Sequence, residues 1–411
     1  MSNAITRQAI ELDEIPPARS RHAGRRSTVE LADRLVVVGT TTGEVHAYDR
    51  TSLEERWRAH PGTESTAVVS AVSFGDSVVV GERGPAGALR CYDIDTGDQR
   101  WRYATATDVG TPQKPSRFFR PFVVDLTTGG DRLYAAARRY ERDGDTRSFT
   151  SVVYALNESG DIVWTYETDA SPISLDVCGH RLGIAYNRCP GIHQRGLVVL
   201  DTETGTERYD WDPGTDGQRR VGDVSLVGDD VVVTSHGDYR GYRLRDGGSK
   251  QWSVDLATPV TIDGEAVYAY PNHVHATADR VFFLTGNTYS TDGRETGALH
   301  PDEHTAFGYT QDGRCMWTAS VGGFANDLGV DGEHVAVPGA QHFRTRDVDV
   351  HGLRLIDTKT GSNRTLKTDG IVTAVTLDGE RFAAVEEPVV YHDDGEQRGA
   401  YRVVVGSSEN R

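Results

Sequence analysis

Residues 88–101 read ALRCYDIDTGDQRW. An apolar run stops at an Asp-Thr-Gly turn, and a tryptophan follows four residues after Gly97. A short apolar run bounded by Asp and Gly is the pattern of a strand entering a tight turn. The phrase returns along the chain. VHAYDRTSLEERW ends at Trp57, VVYALNESGDIVW at Trp164, and LVVLDTETGTERY at Tyr209 with Trp211 two residues on. GYRLRDGGSKQW ends at Trp252 and TAFGYTQDGRCMW at Trp317, whereas LRLIDTKTGSNRT ends at Thr365, where the aromatic is lost. Five of the six tryptophans share one template position, and the sixth lies two residues past it, on the same strand face. Trp57, Trp101, Trp164, Tyr209, Trp211, Trp252 and Trp317 are therefore expected to dock neighbouring sheets together, each burying about 150–250 Å². The aspartate of the Asp-Thr-Gly turn is expected to bond the backbone, and the glycine to take a positive φ.

A second pair of strands precedes each phrase around an Asp or Gly turn, as in VELADRLVVVG, VSFGDSVVVG and LVGDDVVVTS. Eight such pairs recur about 43–55 residues apart, the spacing of four-stranded propeller blades. The reading is an all-β fold: a single eight-bladed β-propeller of four-stranded antiparallel blades over residues 28–411. The last unit runs out before its fourth strand. Residues 1–27 form an N-terminal segment, and AITRQAIEL within it is expected to supply that strand. The ring then closes on N- and C-terminal strands, which removes an open edge.

VVVGTTTGEVHAYDRTSLEERW and ALRCYDIDTGDQRW resemble the PQQ-like repeat of the quinoprotein alcohol dehydrogenase-like propellers. That resemblance implies the propeller fold. It also implies either quinone-dependent oxidation or a non-enzymatic eight-bladed scaffold. The chain has no adjacent cysteine pair and no recognisable calcium-site stretch, so the resemblance is nearer to the scaffold members.

Composition narrows the function classes. The net charge is −17, and Lys114, Lys250, Lys359 and Lys367 are the only lysines. Such a surface stays hydrated in high salt, as in halophilic proteins, and repels nucleic acid and anionic membranes. No segment reaches the roughly 18–20 apolar residues of a membrane span. MSNAITRQAIELDEIPP has no apolar core of a secretory signal, so the expected location is cytoplasmic. Cys91, Cys178, Cys189 and Cys315 form no CxxC pair and read as free thiols. No GxSxG, HExxH or P-loop occurs, and Asp95 belongs to a repeating turn series rather than to a protease dyad.

Loop lengths point to one face. Long insertions at 138–150, 187–196, 286–307, 339–352 and 386–400, and long links at 104–122 and 257–276, emerge on the same side of a propeller. Elaborating one face suits a binding surface. On it, PSRFFRPF sets Arg117 and Arg120 around Phe118 and Phe119, a composition suited to an acidic peptide, and Tyr268, Tyr270, Tyr391 and His392 are candidates for the same opening. His273 and His275 share a strand face, and His300 and His304 flank Asp302 and Glu303, so these four histidines are candidate metal ligands. The expected function is a non-catalytic scaffold binding an unidentified protein or peptide, as a monomer, with no catalytic residues and no cofactor. The alternative is a quinone- or metal-binding, oxidoreductase-like protein using the central mouth, with PQQ or a metal ion as the group bound.

Overall fold

The computed structural model describes residues 6–19, 25–61, 66–293, 295–391 and 395–407. Among them, five sheets hold four strands, one holds eight, one five and one two. Every strand pair is antiparallel apart from one isolated bridge, Ala18 with Val389. The eight-stranded sheet is two four-stranded units, joined through the single pair Phe122 and Arg83. The fifth strand of the five-stranded sheet is the short Val260–Ile262. No helix among the described residues is long and apolar enough to cross a membrane.

The units follow one another around a closed circle. Thr28–Ala32, Ala67–Phe74, Phe122–Gly129, Ser171–Cys178, Val221–Val227 and Glu265–Ala276 are the innermost strands, each packed on the next. Ile371–Asp378 then packs against Thr28–Ala32, which makes the fold a β-propeller. Thr6–Glu11 pairs with Arg402–Ser407 as the outermost strand of the last sheet, so the two ends of the chain hold one blade.

Burial follows position within each unit. Leu35–Gly39 is wholly buried, because a second strand has neighbouring sheets on both faces. The outer strand Glu55–Ala59 exposes Glu55, Arg56 and Arg58, half-buries Ala59 and buries only Trp57. The indole of Trp57 lies over Gly97 of the following sheet and donates from Nε1 to the Ile94 carbonyl at 2.9 Å. Trp101 lies over Gly160 and bonds Glu158 O at 2.9 Å, and Trp164 lies over Gly205 and bonds Thr202 O at 3.0 Å. Trp252 with Gly313 and Gln311 O (2.7 Å), and Trp317 with Gly361 and Thr358 O (3.0 Å), repeat the arrangement. These glycines have φ between +69° and +82°, and at Gly97 a Cβ would come 2.6 Å from the ring. The position thus demands glycine twice, for backbone and for space. Tyr209 and Trp211 share the job at one seam, where Trp211 packs on Tyr242 with centroids 4.9 Å apart.

The two exceptions fall at the closing blade. Thr365 precedes that blade, whose outer strand, Thr6–Glu11, comes from far along the chain rather than by a turn from its third, Arg402–Ser407. No glycine therefore waits for an aromatic. The outer strand Thr6–Glu11 carries no tryptophan, and the next turn has Leu53, at φ +58°, where the others have glycine.

Three local expectations need correction. In the turn, the bonding carboxylate is Asp93, two residues before the Asp-Thr-Gly: its Oδ1 accepts from Asp95 N and Thr96 N, both at 3.0 Å. Asp95 instead pairs with Arg34 of the preceding unit. The 138–150 stretch is not a loop but the end of a long hairpin, Arg132–Asp143 with Thr146–Leu156. Most of 257–276 is likewise strand, Glu265–Ala276. The four cysteines are free.

A second seam binds the sheets near the axis. Asp125 accepts from Leu175 N at 2.8 Å, Asp176 from Leu226 N at 2.6 Å and Asp223 from Val274 N at 2.9 Å, each from the next innermost strand. Glu30 accepts from both N (3.2 Å) and Oγ (2.9 Å) of Ser73 through one oxygen. Bulges at Val123/Asp125 and Val221/Asp223 turn two of these carboxylates toward the neighbour. Burial pushes Asp125 and Glu30 up to about 7 and Asp176 up to about 6.

Replacing Trp57 with alanine is expected to cost about 3–5 kcal/mol of unfolding free energy. Gly97→Ala is destabilising in the wild-type background and much less so beside Trp57→Ala, where the ring it strikes is gone. Urea unfolding of the four proteins measures that coupling. Glu30→Gln keeps the oxygen that bonds Ser73 and removes a buried charge. Because the folded pKa lies above the unfolded value near 4.5, wild-type stability relative to this variant is fully present below pH 4.5. It is lost as pH rises through about 7, leaving the variant more stable by about 1–3 kcal/mol at pH 8.

Candidate functional site

The innermost strands surround an axial cavity of about 470 Å³. Asp125, Asp223 and Asp327 stand on its inner wall, each five residues ahead of a positive-φ turn glycine (Gly130, Gly228, Gly332). Into this acidic neck comes Arg25 from the N-terminal segment. Its guanidinium donates to Val124 O (3.2 Å) and Asn326 O (3.4 Å) and pairs with Asp327 at 3.2 Å. Arg25, Asp125 and Asp327 also border a separate 220 Å³ cavity toward Glu30, so the arginine stands between the two chambers. Nothing in the local sequence marks Arg25 as a plug. It reads as one of four arginines in a hydrophilic N-terminal stretch.

The rest of the lining includes a basic and aromatic group. Arg83, Phe122, Arg138 and Asn187 line both the mouth and an adjoining cleft of about 170 Å³, which Phe118, Arg120, Tyr140, Phe149 and Arg188 complete. Arg83 stands over Phe122 at 4.8 Å, Arg138 over Phe122 and Phe149 at 5.5 Å each, and Arg219 over Tyr270 at 4.9 Å. Further around the rim Tyr268 stacks on Tyr239 with centroids 4.2 Å apart, and Tyr270 meets Tyr289 at 5.2 Å. His236 lies against Tyr270 at 4.7 Å, and burial holds it neutral, with its pKa lowered to about 3.

The residues of PSRFFRPF separate in role. Phe118 is 66% exposed. Phe119 stacks on Tyr140 at 5.4 Å beneath the Lys114 ammonium, while Arg120 lines the cleft. Arg117 donates to the Arg25 carbonyl at 2.8 Å, tying the loop to the N-terminal segment. Tyr268 and Tyr270 reach the rim. Tyr391 does not: it is buried against Ala18 and Ala340 and takes a 2.6 Å bond with His351, because the segment after Val389 turns inward to pack on Ile371. His392 lies outside the described residues.

The four histidines do not form one cluster. His273 bonds the Ala325 carbonyl at 3.1 Å. His275 is partly buried with Nε2 unbonded, and its pKa is lowered by burial. Both nitrogens of His300 are engaged, by Thr258 O and Asp302 N. Only His304 enters a convergent group, with Glu303 and with His342, a residue outside the four candidates. Among the described residues these three form the group of ligand-type atoms that converge, all within 4.8 Å. Glu303 Oε2 is buried with no hydrogen-bond partner and faces His342 Nε2 at 3.9 Å. His304 is buried beside His342, and burial lowers its pKa to about 3, leaving a neutral ring. Two imidazoles and a carboxylate are a donor set for Zn, Mn, Fe or Ni. His342 was not legible because it lies in another insertion, far along the chain.

Comparison with known proteins addresses the repeat and the fold. Residues 41–229 match the PQQ_2 family, described as outer membrane protein assembly factor BamB. No curated protein sequence matches this chain. Among solved structures, the computationally designed Ika8 protein is similar with a TM-score of 0.58 at 13% identity, over 94% of this chain and 99% of its own. The quinohemoprotein alcohol dehydrogenase of Comamonas testosteroni is similar with a TM-score of 0.58 at 11% identity, over 99% of this chain and 77% of its own. A europium-containing methanol dehydrogenase gives 0.54 at 11% identity, over 94% and 93%. These likenesses bear on fold and not on activity. The docked tryptophans and the closed circle of sheets identify the chain as a β-propeller, and residues 41–229 of it are similar to the PQQ_2 repeats.

Proposed function

We propose that this protein is a non-catalytic, eight-bladed scaffold that binds a protein or peptide partner on its loop-rich face. The blade number follows from taking the eight-stranded sheet as two blades and the end-to-end sheet as the last. The observation that carries the binding reading is the wall of arginines and aromatic rings opening beside the exposed Phe118. Arginine and aromatic side chains at a partly desolvated rim are what protein interfaces enrich. The acidic remainder of the surface keeps the molecule soluble and leaves this face as its distinctive patch. The proposed molecule is cytoplasmic and monomeric.

A second reading, metal dependence, is favoured by one observation: the orphaned Glu303 carboxylate oxygen beside the imidazoles of His304 and His342. Those side chains could hold a transition metal, whereas PQQ has no comparable support among the described contacts.

Two experiments separate the readings. Tagged wild type and a Phe118→Ala, Arg120→Ala variant are used as bait from the native extract with quantitative mass spectrometry. Recovery of the specific partner is expected to fall about fivefold or more in the variant, and equal recovery overturns the scaffold reading. For the second reading, purified protein is loaded with Zn²⁺ or Mn²⁺ and its metal content measured. About one equivalent retained by wild type and lost in Glu303→Gln supports it, and no retention by wild type removes it.

A further inference from the structure

Four arginines meet at one wall of the mouth. Arg83 ends the strand Ser77–Arg83, Arg138 lies in Arg132–Asp143, and Arg188 ends Arg181–Arg188. Arg219 precedes Val221–Val227 and is held to Arg188 by an isolated antiparallel bridge. Each of the four is partly buried. Among the described residues no ion pair joins any of them to a carboxylate. What surrounds them is aromatic: Phe118, Phe122, Phe149 and Tyr270. Ring faces attract guanidinium groups but do not neutralise them.

This arrangement runs against the habit of the same chain elsewhere. Buried Arg90 pairs with Glu82 at 2.8 Å, Arg243 with Asp230 at 2.7 Å, Arg220 with Asp212 at 2.9 Å, and Arg26 with Glu387. The chain has 61 acidic residues against 44 basic ones, so carboxylates are not in short supply. Among the described residues none is paired with these four. Burial and mutual repulsion accordingly depress Arg83 to about 9 and Arg138 and Arg188 to about 10. Like charges gathered in a desolvated pocket destabilise the protein that carries them. A set of preorganised, uncompensated guanidinium forks is the arrangement that an incoming oxyanion completes.

We propose that this cleft binds the carboxylates of an acidic peptide segment belonging to the partner protein. The inference rests on the scaffold reading above and specifies the chemistry of its partner. Charge complementarity calls for more than one anion, because Arg83, Arg138 and Arg188 line the cleft and Arg219 lines the adjoining mouth. The exposed Phe118 beside Arg83, with ring and guanidinium 5.7 Å apart, extends the surface beyond the cleft and suits an apolar side chain flanking the acids. The net charge of −17 disfavours polyanions overall, so a cationic cleft supplies register as well as affinity.

The test uses the full chain and a fluorescein-labelled synthetic peptide rich in Asp and Glu with one Phe, read by anisotropy. Binding is expected at low salt and weakens about tenfold or more at high salt. Arg138→Gln loses about tenfold or more in affinity, Arg138→Lys an intermediate amount because it keeps charge without the fork, and the distant Arg314→Gln nothing. Thermal melting guards against misfolding: without peptide, Arg138→Gln melts at or above the wild-type temperature, and peptide raises the melting temperature of wild type only. Peptide affinity unchanged by Arg138→Gln, or no peptide binding, overturns the inference. So does a cleft saturated by inorganic phosphate or citrate that excludes the peptide, which marks a small-anion site. The outcomes separate from those of the scaffold reading. Partner capture that depends on Phe118 without peptide binding refutes only the acidic segment, and peptide binding with undiminished capture by the Phe118 variant refutes only the role of that face.

Discussion

The structure depends on an indole resting on a glycine that no other residue can replace. Five outer strands each lend one indole to the sheet that follows, and that sheet receives it on a turn whose left-handed backbone and missing Cβ make a flat seat. The ring nitrogen then bonds a carbonyl beside that seat, so the contact is directional as well as apolar. A sheet with polar outer strands has little else to hold its neighbour at the periphery. Repetition of the contact turns separate four-stranded units into a circle, with stability shared among adjacent pairs.

Near the axis the seam is polar. Carboxylates on innermost strands accept backbone hydrogens from the next sheet, using bulges to aim across the gap. The choice has a consequence for the opening they surround. Buried acids line the neck, and Arg25 from the N-terminal segment sits among them. The same segment that closes the ring at its rim, through Thr6–Glu11, thus also occupies its centre. The outer wall of the mouth has the opposite character, with arginines and rings and no acids to match them. Two charge environments of opposite sign thus line one cavity.

The repeat could be read from residues alone because its signal is local. Gly97 and Trp101 are four apart, and the strand period places every such ring on one face before any tertiary contact is known. The failures of the motif were legible but not explicable. Thr365 and Leu53 look like decay in sequence, and only the closing blade, where a turn is missing and the outer strand comes from the other end of the chain, shows why neither ring nor glycine is needed there. Loop content was overread at 138–150 and 257–276, since polar residues in a protruding hairpin mimic an irregular loop. Tyr391 was misplaced for a related reason: a tyrosine in a long insertion is buried when the insertion folds back on the core.

By itself the sequence determined the strands, their grouping and the docking residues, because these follow from spacings of a few residues repeated many times. Only the tertiary structure decided the site. Arg83, Arg138, Arg188 and Arg219 come from different strands and a connecting segment, and Glu303 meets His342 from another insertion; none of these spacings repeats. Their meeting is a product of ring closure, which sets distances between residues that the chain itself holds far apart.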